Sequence, residues 1–329
     1  MIQGARVITI SNGDGGVGKS TVATLIGKNY ALRGYNVLLC DFDSIPDITP
    51  AFARLAEGNE NVLMQDLTRD PQNKTIQRIF QKPQLGLDGI LWKYPLEAML
   101  NSLEGLDRGE ESSVSTYQLR QRTLDKYEID MNNLGDLYVA PNSSSFAEVL
   151  DSYMQKTNDN LLLRRSLDIA VKAHVLQGNK PFDIIILDLP GDSGKTVRQA
   201  LCAADDMIPL FDMRITAVNG IVTVMQDALL PLKADESISD YIANIMPALP
   251  NKFDFARKNY LESWIRRFAA PKFAALGMTI STNRIALSRA LLEYVPQTAL
   301  MPFEYDPMDD ALLTVHDYWL TLPGVAHYG

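Results

Sequence analysis

Nine consecutive residues near the start of the chain have the types and spacing to hold a phosphate chain: Gly13, Asp14, Gly15, Gly16, Val17, Gly18, Lys19, Ser20 and Thr21. Gly13 to Ser20 satisfies the pattern G-x-x-x-x-G-K-[ST] in full, between an apolar run and a helical pattern. Glycines let successive backbone N–H groups curl around phosphate oxygens with no side chain in the way. A helix beginning near Lys19 adds unpaired N–H groups and its positive dipole end. Lys19 then reaches the β- and γ-phosphates, and Ser20 offers its hydroxyl to Mg2+. The plainer alternative is a glycine-rich turn that merely starts a helix. The complete pattern and its context favour phosphate.

Three aspartates extend this chemistry. Asp43 ends an apolar run, where a carboxylate can hold or activate a water near a γ-phosphate; Asp41 lies two residues earlier, on the same face of a strand. A turn or helix cap is the alternative for either. Asp188 follows four apolar residues and precedes Leu-Pro-Gly, as in P-loop proteins that supply a second metal carboxylate, usually through water. The catalytic candidates are therefore Lys19, Asp41 and Asp43, and the metal candidates Ser20, Asp43 and Asp188.

The elements that must position these groups are legible as hydrophobic pattern. Strands are expected over Arg6–Ser11, Asn36–Asp43, Leu137–Pro141, Asp183–Asp188 and Met207–Phe211, each an apolar run bounded by turn residues, as buried parallel strands require. Helices are expected over Thr21–Arg33, Leu161–Val175 and Thr196–Ala204. The strand-loop-helix-strand order implies an α/β fold with a mostly parallel sheet, ligands lying at the carboxyl ends of its strands. Residues 57–133 are more polar and less regular, with helices expected at Thr75–Gln81 and Pro95–Leu103. They read as a small helical insertion in a single domain spanning 1–329.

The 329 residues are 46% hydrophobic and 22% charged, an ordinary globular composition, with a net charge of −9. That balance argues against a constitutive nucleic-acid binder, although global charge can hide a local patch. Cys40 and Cys202 form neither a disulfide framework nor a zinc spacing, and His174, His316 and His327 do not cluster. No transmembrane run and no secretory leader are expected, so the cytosol is the expected compartment.

Together, GGVGKST at Gly15–Thr21, VLLCDFDS at Val37–Ser44 and FDIIILDLPG at Phe182–Gly191 resemble the ParA/MinD family of P-loop ATPases, the deviant Walker group within the SIMIBI-type NTPases. Weaker echoes run through Leu137–Val149, Ala204–Ile221 and Ser281–Leu291. The resemblance implies a sheet covered by helices on both faces, with ATP and Mg2+ as ligands. It also implies an ATP-dependent homodimer and slow hydrolysis stimulated by a ParB-like or other adaptor protein. Asp43 becomes the water-positioning residue and Asp188 the support of the metal water.

One position departs from that family. Its signature lysine should fall two residues before Gly16, where this chain has Asp14. A unit negative charge about 4 Å from phosphate would repel by roughly 4 kcal/mol at an effective dielectric near ~20. Asp14 turns away while another cation substitutes, or the dimer forms differently, or no sandwich forms. The first is preferred, with Arg214 as first candidate and Lys195 as second. A relocated cation would resemble the carboxysome-positioning branch of the family.

Asn251 to Ala290 holds Lys252, Arg257, Lys258, Arg266, Arg267, Lys272, Arg284 and Arg289 against only Asp254 and Glu262. A helix over about Phe255–Phe268 is expected to expose its cations and pack its aromatics inward. ParA-type proteins bind double-stranded DNA without sequence preference through this region, so Arg257, Lys258, Arg266, Arg267, Lys272, Arg284 and Arg289 are DNA candidates; a solvated helix face is the alternative. The C-terminal DDALLTVHDYWLTLPGVAHYG has no Lys or Arg, which counts against an anionic membrane. The resulting expectation is a nucleoid-associated ATPase that partitions or positions a cargo. Its rivals are a switch docked on a protein apparatus and a small-molecule phosphotransferase of the same fold.

Overall fold

The computed structural model describes residues 1–43, 45–53, 65, 67, 69–94, 96, 130–143, 146–157, 159–285 and 287. Its centre is an eight-stranded sheet of β1 (Arg6–Ser11), β2 (Val37–Asp41), β3 (Trp92–Lys93), β4 (Leu137–Ala140), β5 (Ile184–Asp188), β6 (Asp206–Phe211), β7 (Asn244–Ile245) and β8 (Leu249–Pro250). The order is β3-β4-β2-β5-β1-β6-β7, with β8 also paired to β6. Every pairing is parallel except β3 with β4. The register aligns Asp188 with both Ile10 and Asp41, so the phosphate loop and two of the aspartates leave the sheet at one edge.

β2, β5 and β6 are buried at every position. Successive strand side chains point to opposite faces, so burial at every position means that helices cover both. The layer consists of α1 (Lys19–Leu32), α2 (Ile48–Ala53), α3 (Phe146–Thr157), α4 (Leu162–Leu176), α5 (Lys195–Ala203), α6 (Ile215–Thr223) and α7 (Lys258–Trp264). α1 is buried from Val22 to Leu32 and packs on β1, β2, β4 and β5, which fixes the helix whose first turn faces the cradle. It ends where Gly34, at φ 91°, donates its N–H to the Ala31 carbonyl. Truncating a side chain such as Ile8, fully buried under this helix layer, would cost roughly 2–5 kcal/mol.

Several elements differ from expectation. α1 starts two residues early, because the loop runs straight into the helix at Lys19. Thr75–Gln81 is not one helix but two short turns, Pro71–Lys74 and Arg78–Gln81, broken where extended Thr75 puts its hydroxyl on the Pro71 carbonyl. β3 lies within 57–133 and extends the main sheet. Apart from Leu96, the helix expected at Pro95–Leu103 lies outside the described residues, as does Arg289. α6 continues through a π-helical stretch, Val224–Leu229, to Lys233. Among the described residues it is the one helix long and apolar enough to cross a membrane, which the sequence reading had not expected; half of it is buried inside the protein, as in a core helix.

Candidate functional site

The phosphate loop is tied by hydrogen bonds to neighbouring elements. Asn12, fully buried, donates to the Leu210 and Ala217 carbonyls at 2.7 and 2.9 Å and accepts the Asp14 N–H at 2.7 Å. Gly13 lies against α6, and a Cβ there would come within 2.9 Å of the Gly220 carbonyl oxygen. Gly16 and Gly18 adopt φ 71° and 95°, the left-handed region that favours glycine. The N–H groups beyond Gly18 open α1, whose Gly18 cap has no side-chain hydrogen bond. Lys19 is buried and donates to the Asp14 carbonyl at 3.3 Å. Burial lowers the Lys19 ammonium pKa, and the charges of Asp188, Asp43, Asp14 and Asp192 oppose that shift.

The three aspartates meet this loop in different states. Asp41, fully buried, accepts from the Thr49 N–H and hydroxyl at 2.9 and 2.6 Å and from the Asp43 N–H at 3.3 Å. Burial pushes its carboxyl up to about 7 despite those bonds. With its oxygens so engaged, Asp41 braces the loop that carries Asp43. Asp43 is half-buried beyond the strand end, where it accepts the Ile45 N–H at 3.0 Å and its carbonyl takes the Asn142 amide at 2.7 Å. Asp47, which the sequence reading passed over, is held above the usual carboxylate range by burial and then by the charge of Asp43, with Lys19 opposing.

Asp188 is fully buried, and among the described residues neither of its oxygens has a hydrogen-bond partner of normal geometry. Burial first, then the charge of Asp41, raises its pKa well above the ordinary value; Ser20 sits close enough to oppose the rise without reaching bonding geometry. A buried, unpaired carboxylate beside a P-loop serine is an arrangement that a cation would complete. Among the described residues no three His, Cys, Asp or Glu side chains form a metal cage, so phosphate and water would supply the remaining ligands, which suits Mg2+.

Asp14 turns toward α6. It accepts the Thr216 hydroxyl at 2.9 Å and pairs with Arg214 at 3.3 Å. Arg214 is half-exposed; its Nε lies 2.9 and 2.8 Å from the two oxygens of Asp212, and its Nη2 reaches the Gly15 carbonyl at 3.2 Å. Arg214, the first candidate to substitute for the signature lysine, is thus held against the phosphate loop of its own chain. Lys195 is exposed at the start of α5. Gly191 faces the Asp14–Gly15 backbone, and a Cβ on it would stand 3.1 Å from the Gly15 nitrogen.

The basic segment is sorted by the fold. Arg257, in the turn that precedes α7, and Lys258, Arg266, Arg267 and Lys272, along α7 and its continuation through Ile265–Ala269 and Ala270–Ala274, are exposed. Lys272 also bonds the Asn219 side chain in α6. Arg284 departs from expectation: it pairs with Glu262 at 3.1 Å and donates to the Ser281 and Asn283 carbonyls. Lys252 also turns inward, onto the Gly16 carbonyl. Within the expected helix, the inward packing of the aromatics holds for Trp264, which packs against the core, but fails for Phe255, Tyr260 and Phe268, which are half-exposed or more; Phe253 and Phe273, outside it, are buried. Arg257 lies over the Tyr260 ring at 4.9 Å. Asn12, Gly220, Asp212, Thr216 and Asn251 were missed because each acts through the tertiary contacts of one side chain or one missing Cβ; position at a strand or helix end could have pointed to all but Gly220, which lies inside α6.

A family model described as AAA domain matches residues 5–233. No curated protein matches the sequence. Among solved structures, the chain is similar to an ATP complex of Cyanothece McdA, with TM-score 0.60 at 14% identity, covering 97% of this chain and 98% of that one. It is similar to a plasmid partition protein from Borrelia burgdorferi B31 bound to AMPPNP, with TM-score 0.56 at 15% identity over 96% and 98%. It also resembles cobyrinic acid a,c-diamide synthase from Mycobacterium smegmatis with an ATP analogue and magnesium, with TM-score 0.51 at 14% identity over 89% and 91%. At these identities the likeness is one of fold.

Proposed function

Given that this chain belongs to the AAA domain family and has the P-loop ATPase fold of the ParA/MinD type, we propose that it is an ATP-driven switch that binds double-stranded DNA without sequence preference and partitions or positions a cargo. The observation that carries this reading is the physical continuity between cradle and basic face. Thr216 and Gly220 of α6 touch Asp14 and Gly13, and Asn219 between them holds Lys272. A change at the phosphate loop is thus one helix away from the cations.

In this reading the amides of Gly15 to Ser20 and the Lys19 ammonium bind the β- and γ-phosphates. The Ser20 hydroxyl and Asp188 would hold Mg2+, which would neutralise charge at the phosphates. Asp43 positions the water that attacks the γ-phosphorus, on a loop braced by Asp41. Two chains pair across their nucleotides, and Arg214 exchanges Asp14 and the Gly15 carbonyl for the phosphates of the second chain; Lys195 is the alternative cation. Arg257, Lys258, Arg266, Arg267 and Lys272 bind DNA phosphates. An adaptor protein stimulates hydrolysis and so releases the track, in the cytoplasm and on the nucleoid. The Borrelia relative's description as a plasmid partition protein and the ATP bound to the Cyanothece relative support this assignment.

The test is ATP turnover by the purified chain alone, with random-sequence DNA, and with candidate small-molecule substrates. Slow turnover that DNA raises supports the switch. Turnover that DNA leaves unchanged and a small-molecule acceptor accelerates would make it a metabolic enzyme instead.

A further inference from the structure

We propose that Tyr260, Trp264 and Phe268 form a stacking platform for the unpaired bases of single-stranded DNA, so that the basic face holds an exposed strand by its bases as well as by its phosphates. This rests on the reading that the face meets DNA, and it gives a use to rings that the fold leaves outside. Tyr260 is 59% exposed and Phe268 50%, whereas Leu261 and Ile265, the branched aliphatics of the same helix, are buried. A spacing of four residues puts Tyr260 and Trp264 on one side of α7. The ring of Phe268 follows that of Trp264 at a centroid distance of 5.7 Å, inclined by 38°. Trp264 also packs against the core, which anchors the row.

Backbone and charge both fit this row to nucleic acid. The helix widens into its π-helical stretch at Ile265–Ala269, so that Arg266, Arg267 and Phe268 are all exposed between buried Ile265 and Ala269. Such turns are rare and are found often at functional sites; this one sets a ring beside two cations. Glu262 is the one carboxylate between Phe255 and Met278. Arg284 neutralises it through bonds of 3.1 and 3.2 Å, which leaves the exposed charge of one sign. The Arg257 guanidinium, 4.9 Å from the centre of the Tyr260 ring, steadies that ring by a cation–π contact. A face that met only phosphates would gain nothing from rings left in water. In a duplex the base faces are stacked on one another, and reaching them costs unstacking. A single strand offers them beside its phosphates, and aromatic rings interleaved with cations match that surface.

The test is the affinity of the full chain, with MgATP, for a strand of thymidylate, an abasic strand of the same length and a random-sequence duplex. It is measured in wild type, in Tyr260→Leu combined with Phe268→Leu, and in Arg266→Ala combined with Arg267→Ala. Leucine keeps an apolar side chain at these exposed sites and removes the π-face alone. Wild type should hold the thymidylate strand about tenfold or more above the abasic strand. The leucine pair should lose about 25-fold on the thymidylate strand, roughly fivefold per ring, with the abasic strand and the duplex unchanged. The alanine pair should weaken all three. Equal wild-type affinity for the two single strands, or an equal loss on the duplex in the leucine pair, would overturn the platform while leaving the DNA-tracking reading intact. Wild-type binding to phosphatidylglycerol vesicles that the leucine pair loses, without preference for the thymidylate strand, would overturn it in favour of a lipid surface. Failure of wild type to bind any of the three nucleic acids would remove both the platform and the reading on which it rests.

Discussion

The phosphate cradle and the basic face were both read from short stretches of sequence, and the fold treats them in opposite ways. In the cradle, loop backbone and side chain alike are tied to neighbouring elements, through Asn12, Arg214, Asn251 and Lys252. On the face, Arg266 and Arg267 project from a helix as exposed cations, and half-exposed Phe268 sits beside them. A site made of preorganised backbone donors needs a rigid frame, because a misaimed N–H cannot be corrected cheaply. A surface that meets a polyanion through long-range charge needs only density and reach. Damage to the first should abolish binding outright, and damage to the second should scale with the number of cations removed.

The largest effect expected is from Lys19→Ala. Removing the buried ammonium should weaken MgATP binding by on the order of 100-fold or more, the loss of charge-assisted bonds to phosphate, as titration calorimetry would report. Near-normal affinity would mean that the cradle is not the phosphate site. A smaller, graded effect is expected from replacing Arg266, Arg267 and Lys272 by alanine together. The slope of log affinity for DNA against log salt should flatten by roughly 2–3, with nucleotide affinity unchanged. An unchanged slope would show that the contrast between the two regions is drawn in the wrong place.

The smallest effect expected is on stability against pH. An unfolded aspartate ionises near ~4, whereas folded Asp41 ionises at about 7. Between those values the folded chain holds a proton that the unfolded chain lacks, so stability is greatest at the acid end of the window and falls as pH rises through it. Asp188 is shifted in the same direction by its own burial. The midpoint of thermal unfolding without nucleotide should therefore drop between pH 5 and pH 7, all else equal in the buffer, and MgATP should flatten that drop by compensating Asp188. A midpoint that rises across the same window would contradict the upward shift of these buried carboxyls.

What the sequence disclosed follows from the same contrast. Arg6–Ser11 and Asp183–Asp188 were legible because a strand buried on both faces is apolar along most of its length. The loop was legible because backbone binding of phosphate demands glycines at fixed offsets. Asp41 and Asp43 look alike in sequence; burial and Thr49 separate them, and neither can be read from spacing. Composition found the basic segment but could not tell which cations stay outside. Arg284 goes to Glu262 and Lys252 to Gly16, while Phe255, Tyr260 and Phe268 are left exposed. Cys40 and Cys202 are buried, and burial pushes both thiols up, Cys202 to about 11.

The central claim is that the state of the cradle governs the face. The most direct measurement is the affinity of the Asp43→Ala chain for random-sequence double-stranded DNA with MgATP, with MgADP and without nucleotide, each at two salt concentrations. Tight, salt-sensitive binding is expected with MgATP alone. Equal binding in all three states, or none in any, would contradict it.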